Sequence, residues 1–330
     1  MTKEVDCDCI RTEIDCLENS FIRQKMNGDS SDTGDDVRIS LTSFDRDEGR
    51  FPSEKWKTFL AFTFMSLNLV LNLTCLSIVH ERMPDRTKYP PLPDIFFDLF
   101  PPADWALDVS EGIIVVAVWS TLFMIFMHRS RFIILRRVFL IMGLLYFMRS
   151  ITMFVTQVPV ASTTYYCSPK ANKTSAGLVF GRVLHMLGGF GLSINGRHTF
   201  CGDYIYSGHT VILTMAYLVI QEYTPRRCWF LHWLMWAASV TGIFMVLLSR
   251  GHYTIDVVIA YFVTTRVFWM YHTLANNPSL KGEEHTNFLS KLWWFPLFLY
   301  FERNVNGVIP SQYEWPLPWP RRCFRSPYVS

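Results

Sequence analysis

Long apolar runs alternate with polar segments along the chain after residue 50. Each run is roughly 18–22 residues long, the length that a helix needs to cross the hydrocarbon core of a bilayer. The runs predict six transmembrane helices, at residues 58–79, 109–127, 138–155, 204–221, 229–249 and 255–272. A further helix at residues 178–192 is expected to lie at the membrane interface. We therefore predict an all-α, polytopic membrane protein.

The two ends of the chain differ from this apolar middle. Residues 1–50 are rich in Asp, Glu, Ser and Thr, and such a segment buries too little apolar surface to fold, so it is expected to be a disordered cytosolic tail. We assign residues 51–276 to a six-span catalytic membrane domain. Residues 277–330, which are rich in Trp and Pro, are expected to form a second cytosolic tail.

Composition agrees with a membrane protein and excludes other classes. Half of the 330 residues are hydrophobic, and the mean hydropathy is +0.17. The formal net charge of +3 is too small to indicate a nucleic acid as partner. The eight cysteines show no spacing of zinc type, so we expect no metal site. The oligomeric state stays open, with a homo-oligomer as one alternative.

The charges of the short connections predict how the helices are oriented. Four arginines lie between the second and third runs, and two lie between the fourth and fifth. Because Lys and Arg are enriched in cytoplasmic loops, we expect these connections and both termini in the cytosol. The sequon at Asn172 then lies outside as a glycosylation candidate. Cys167 and Cys201 share that oxidising side, where a disulfide and two free thiols are both open.

A histidine and a carboxylate stand four residues apart at the start of the sixth run. His252 and Asp256 would share one face of a helix that begins here. A carboxylate beside an imidazole sets its tautomer and stabilises the charge that the ring gains when it attacks or takes up a proton. By itself the pattern also fits a capped helix start with a surface histidine, so a second group has to converge on it.

The second group is His209, which follows Ser207 and Gly208 at the start of the fourth run. The fourth and sixth runs cross the membrane in the same direction, so their first residues lie on the same side. Free N–H groups and the helix dipole favour a phosphate at both helix starts, and Gly208 permits a close backbone approach. Two histidines, one of them oriented by Asp256, predict phosphoryl transfer through a phosphohistidine. The alternative is two interfacial histidines that never meet.

These residues resemble a known family. The Ser-Gly-His and His-x-x-x-Asp motifs are similar to those of the lipid phosphatase superfamily. Two longer strings resemble the sphingomyelin synthases: Cys-Gly-Asp-x-x-x-Ser-Gly-His-Thr at residues 201–210 and His-Tyr-Thr-Ile-Asp-Val-Val-Ile-Ala-Tyr at residues 252–261. The resemblance extends to residues 91–98 and 146–153 and covers about residues 51–320.

The resemblance implies a lipid phosphatase-like helical core and a reaction without metal or cofactor. His252, polarised by Asp256, would attack the phosphorus of phosphatidylcholine. His209 would protonate the departing diacylglycerol and then deprotonate the primary hydroxyl of ceramide, which gives sphingomyelin. The family also implies membrane lipids as partners. It implies a Golgi or plasma-membrane location, with the active site facing the lumen or the exterior.

Further polar residues near these motifs are candidates for substrate binding: Arg149, Asp203, Ser207, Gly208, Tyr253, Glu111 and His198. Arg149 lies within the third run, where a lipid phosphate and an ion pair with Glu111 are equally good partners. Asp203 and His198 would either extend the proton network or simply edge a polar loop. Tyr253 would contact choline by cation–π attraction or belong to an interfacial aromatic belt.

One departure from the family pattern leaves the head group of the substrate open. Gly251 stands where family members usually have an acidic residue, directly before the nucleophilic histidine. Choline and ethanolamine therefore remain alternative head groups. No Arg-Pro dipeptide occurs, so the first motif of the ordinary phosphatases is missing. That absence counts against a lipid phosphate hydrolase, in which water would replace ceramide.

Overall fold

The described part of the chain is built from helices. The structure, a computed structural model, describes residues 51–85, 88–162, 167–170, 175–188, 200–202, 204–282 and 287–315, so the predicted tail at residues 1–50 and the sequon at Asn172 lie outside it. Within these ranges it contains nine α-helices and no strand beyond an isolated bridge. The helices are α1 (Lys55–Arg82), α2 (Ile95–Leu99), α3 (Trp105–Met127), α4 (Arg131–Val155), α5 (Ala176–Gly188), α6 (Gly208–Tyr223), α7 (Trp229–Leu248), α8 (Thr254–Asn276) and α9 (Phe295–Glu302).

Each of the six predicted runs forms one long helix: α1, α3, α4, α6, α7 and α8. Among the described residues, α1, α3, α4 and the helix ending at Leu248 are long and apolar enough to cross a membrane. Helix α6 has 16 residues, fewer than the roughly 20 that a span usually needs, and α8 carries Asp256 and Arg266 within its length. The structure supports a multi-pass membrane protein, and the count of six spans stays a prediction.

The outward faces of the long helices carry large apolar side chains. Trp119 and Phe123 of α3 are 68% and 65% exposed, and Phe230 and Trp233 of α7 are exposed to a similar degree. A continuous apolar surface of this kind would favour association in water, whereas lipid chains solvate it. These faces are the ones that suit contact with the hydrocarbon core.

Helix α6 lies at the centre of the bundle. It packs against α3, α7 and α8, and 11 of its 16 residues are buried. Its middle part, residues 211–220, carries apolar side chains on nearly all sides, which is typical of such a buried position. Around it, α1 packs along α4, α3 packs against α7, and α5 lies against α1. The first residues of α6 are therefore enclosed by neighbouring helices.

The residues after α8 fold back onto this bundle. Helix α9 places Phe295, Phe298 and Phe301 in the main hydrophobic core, and Val305 and Ile309 follow them. The spacing of three residues puts the phenylalanines on one face of the helix. The packed core thus extends beyond residue 276, where the sequence predicts the membrane domain to end.

Helix α9 also carries one half of a buried ion pair. Glu302 is fully buried, and its carboxylate accepts two hydrogen bonds from Arg137 of α4, at 3.2 and 2.9 Å. The Tyr271 hydroxyl of α8 donates a third, at 3.1 Å. Burial alone would raise the pKa of Glu302, but the Arg137 guanidinium outweighs it and lowers that pKa. This charged pair ties the C-terminal segment to α4 and α8.

The loops that lead into α6 are cross-linked. Cys167 and Cys201 form a disulfide with their Cα atoms 5.6 Å apart, which decides between the alternatives that the sequence left open. The buried His80 ring of α1 lies between the backbone oxygens of Cys201 and Ser168, at 3.2 and 3.0 Å. The segment before α6 is thus attached to the preceding loop by a covalent bond and to α1 by hydrogen bonding.

Replacing Glu302 by Ala should destabilise the protein strongly. The substitution leaves Arg137 buried without its carboxylate, which typically costs about 3–5 kcal/mol. Thermal unfolding of the purified protein in detergent measures the effect as a lower melting temperature. The control is Glu314→Ala, because Glu314 is 59% exposed in its ion pair with Arg129 and exposed pairs contribute roughly 0–1 kcal/mol. Equal melting temperatures for the two variants would contradict the assigned role of the buried pair.

Candidate active site

The candidate site lies where α6 and α8 begin. Ser207 is the N-cap of α6, and its hydroxyl accepts the Thr210 N–H at 3.3 Å. Tyr253 is the N-cap of α8, and its own N–H donates to the Asp256 carboxylate at 2.9 Å. Both are local reasons for the helices to start here, because capping satisfies N–H groups that have no partner within the helix.

Asp256 joins the two helix starts. Its Oδ1 atom accepts the Ile205 N–H at 2.8 Å, and its backbone oxygen accepts the Ser207 N–H at 3.3 Å. Ile205 adopts a positive φ of 74°, which turns its N–H towards the carboxylate. One buried side chain therefore fixes both the loop before α6 and the first turn of α8.

The same carboxylate lies beside His252. Asp256 Oδ2 is 3.6 Å from His252 Nδ1, and both residues are buried. This distance is longer than a hydrogen bond, so the contact is electrostatic in this geometry. The acid faces Nδ1, which leaves Nε2 as the ring nitrogen directed away from it.

His209 faces His252 across the gap between the helices. Their ring centroids are 5.7 Å apart. His209 Nε2 lies 3.6 Å from Oε1 of Glu111, a fully buried residue of α3. The structure thus brings together the two histidines that the sequence selected, each with its own carboxylate.

The role of Glu111 as a neighbour of His209 was missed by the sequence analysis, which considered it as a partner of Arg149. The available signal was an acidic residue inside a long apolar run, which marks a buried functional group. The contact of Glu111 with His209 depends on how α3 packs against α6. The spacing of residues along the chain does not predict that packing.

Arg149 brings a positive charge to the start of α6. Its side chain is buried, its Nε donates to the Tyr206 backbone oxygen at 2.9 Å, and its guanidinium also hydrogen-bonds the Asn72 side-chain oxygen. A Cβ atom at Gly208 would lie only 3.1 Å from Arg149 Nη2. Glycine at 208 is therefore what lets the guanidinium rest against the helix N-terminus. Cationic and N–H groups together form an anion site.

Tyr253 is held by the surrounding loops. Its hydroxyl donates to the Pro159 backbone oxygen at 3.0 Å and accepts the Leu92 N–H at 3.1 Å. Burial raises the pKa of this hydroxyl. The Tyr204 ring lies edge-on to the nucleophile candidate, with its centroid 6.2 Å from that of His252.

Other predicted residues lie outside the described part of the chain, namely Asp203 and His198. Within the described ranges, no group of three or more His, Cys, Asp and Glu side chains is arranged to hold a metal ion. The arrangement that the structure does show is a buried guanidinium and two helix starts beside two histidines. Such a set of groups is suited to acid–base and nucleophilic chemistry on a phosphate ester.

Known proteins match the chain over most of its length. Residues 200–273, which hold both histidines, match the family described as PAP2 superfamily C-terminal. Phosphatidylcholine:ceramide cholinephosphotransferase 1 of Sus scrofa is 44% identical over 321 residues, covering 94% of this chain and 74% of the relative. Phosphatidylcholine:ceramide cholinephosphotransferase 2 of Mus musculus is 47% identical over 294 residues, covering 88% of this chain and 79% of the relative. The chain belongs to this cholinephosphotransferase family.

Membership in the cholinephosphotransferase family confirms the resemblance seen in the sequence. It also confirms that the chain is an enzyme of the phosphotransferase class. The part of the chain that matches the PAP2 superfamily contains the starts of both α6 and α8, while Glu111 and Arg149 lie before it. The site therefore combines a superfamily core with charged side chains from α3 and α4.

Replacing Gly208 by Ala should lower the transferase activity of this family member by roughly three- to tenfold. The added methyl group would lie 3.1 Å from Arg149 Nη2, so the guanidinium has to move by a few tenths of an ångström. The measurement is the turnover rate of the purified variant. Gly112→Ala is the control, since nothing lies within 4 Å of a Cβ atom there. Full activity in Gly208→Ala would show that the close approach is dispensable.

Proposed function

We propose that the chain transfers phosphocholine from phosphatidylcholine to the primary hydroxyl of ceramide, giving sphingomyelin and diacylglycerol. The names of its relatives support these substrates. The observation that carries the chemistry is the facing pair His209 and His252, each 3.6 Å from a buried carboxylate. The proposed reaction needs no metal or cofactor.

In the first step, His252 Nε2 attacks the phosphorus of phosphatidylcholine. The bond between phosphorus and the glycerol oxygen breaks, and His209 donates a proton to that oxygen, which releases diacylglycerol. Asp256 stabilises the positive charge that develops on the His252 ring. The product of this step is a phosphocholine group attached to His252 as a phosphohistidine.

In the second step, the primary hydroxyl of ceramide attacks the same phosphorus. His209, now neutral, takes the hydroxyl proton, and the bond to His252 Nε2 breaks. Glu111 stabilises the protonated His209 that results, so the residue is ready for the next cycle. Arg149 and the N–H groups at the start of α6 stabilise the negative charge on the phosphate oxygens in both steps.

Phosphatidylethanolamine is the second candidate donor, because Gly251 leaves the position beside His252 without the acid that the family usually has there. A Cβ atom at this position would lie 3.3 Å from Ser249 Oγ, so the backbone passes close to its neighbours. A hydrolase is the third reading, in which water accepts the phosphocholine group.

One assay separates these functions. The purified protein in detergent is given fluorescent ceramide and either phosphatidylcholine or phosphatidylethanolamine as donor. Fluorescent sphingomyelin that forms only with phosphatidylcholine is the expected result. A product formed only with phosphatidylethanolamine would overturn the head-group assignment, and free phosphocholine without a ceramide product would indicate hydrolysis.

The histidine roles predict how two variants behave in the same assay. His252→Ala should abolish transfer, because no phosphohistidine can form. His209→Ala should reduce transfer by roughly 10²–10⁴-fold, the range for a lost general acid–base. His232→Ala in α7 is the matched control and should retain activity, since its side chain lies outside the site. Substantial transfer by His252→Ala would refute its role as nucleophile.

We further propose that six helices span the membrane, with both termini cytosolic and the histidines on the luminal or exoplasmic side of a Golgi or plasma membrane. The arginines at the end of α3 and before α7 lie at the ends of helices opposite to the site, which supports this orientation.

The orientation predicts that Asn172 carries an N-linked glycan in protein made in eukaryotic cells. Endoglycosidase treatment should increase the electrophoretic mobility of the protein. Asn172→Gln should remove this shift, and Asn72→Gln is the control because Asn72 lies within α1. Labelling of position 172 from the cytosolic side would invert the proposed topology.

A further inference from the structure

The loop between α1 and α3 is attached to the residues on either side of His252. The Leu92 N–H donates to the Tyr253 hydroxyl oxygen at 3.1 Å. Arg250 Nη2 donates to the Phe97 backbone oxygen at 2.9 Å, and its guanidinium lies 5.0 Å from the centroid of the Phe97 ring. Arg250 and Tyr253 hold this loop, so the His252 ring takes no part in the attachment.

Asp94 makes the shortest hydrogen bonds between this loop and α8. Its Oδ2 atom accepts the Thr254 N–H at 2.8 Å, and its Oδ1 atom accepts the Thr254 hydroxyl at 2.7 Å. The same carboxylate is the N-cap of α2, where Oδ1 accepts the Phe96 N–H at 2.9 Å. Bonds to an ionised acceptor are roughly twice as strong as neutral ones, and the helix dipole adds to the attraction. One side chain therefore caps two helices.

Thr254 lies between His252 and Asp256, at the first position of α8. Consecutive N–H groups on this turn are held by different carboxylates: Tyr253 donates to Asp256, and Thr254 donates to Asp94. The backbone that follows His252 is thus fixed from inside the helix by one acid and from the loop by the other. Without Asp94, Thr254 would lose two hydrogen bonds, whereas the bond from the Tyr253 N–H to Asp256 would remain.

We propose that Asp94 is a positioning residue, which holds the first turn of α8 through Thr254 and thereby sets the distance between His252 and Asp256. It contacts no reacting atom. This inference rests on the proposed role of His252, because only a nucleophile has to keep its geometry to this accuracy. Nothing in the motifs themselves assigns Asp94 a task, since it lies 158 positions before His252 in the chain.

The test compares four variants by turnover rate, KM for ceramide and melting temperature. Asp94→Ala should lower kcat roughly ten- to a hundredfold with KM changed less than about threefold, the signature of a displaced catalytic group. Asp94→Asn keeps one acceptor oxygen and should recover part of this loss. Thr254→Val keeps its N–H and should lose less than Asp94→Ala. Asp98→Asn removes the same charge from an exposed position of the same loop and should match the wild type.

The double variant Asp94→Ala, Thr254→Val decides whether the two residues act together. We expect it to be no worse than Asp94→Ala alone, because both changes break the same contact. Independent, multiplying losses would overturn the proposal. A lower melting temperature with unchanged kcat of the folded protein would overturn it too, since it indicates a structural role only. An active His252→Ala variant would instead refute the proposed function, so the two failures are distinguishable.

Discussion

The candidate active site depends on one buried carboxylate that accepts N–H groups from two chain segments. Asp256 accepts the N–H groups of Ile205, which lies just before α6, and of Tyr253, which lies just before α8. Because both oxygens of the side chain accept a hydrogen bond, the starts of α6 and α8 are held together as one unit. The distance between His209 and His252 is set through this unit, and so is the angle from which a phosphate can approach.

The buried charged groups of the bundle are gathered at its two ends. At one end, Asp256, Glu111 and Arg149 surround the histidines. At the other, Glu302 and Arg137 fasten the C-terminal segment to the helices. Between the two ends, close packing of apolar side chains holds the helices together and resists displacement. The packed α9 segment therefore stabilises the scaffold from the end opposite to the histidines.

The apolar runs predicted the long helices well, and α7 ends within a residue of the expected position. Helix α6 begins at residue 208 instead of 204, because Ile205 has to leave the helix to reach Asp256. The motif residues His209, His252 and Asp256 were identifiable because their spacing and the direction of the helices carry the information. The contacts of Glu111 and Arg149 were not, since they depend on helix packing. The packing of α9 was missed because a short apolar stretch beside prolines also fits an exposed tail.

The contact between Arg149 and Gly208 has a consequence for how sequences of this kind can vary. The absence of a side chain at 208 is demanded by an arginine on another helix, 59 positions earlier in the chain. A shorter residue at 149 would remove this steric constraint at 208. Because Arg149 is also proposed to stabilise the phosphate, position 208 is the one that has to adapt, and a small residue is favoured there for as long as the arginine is kept.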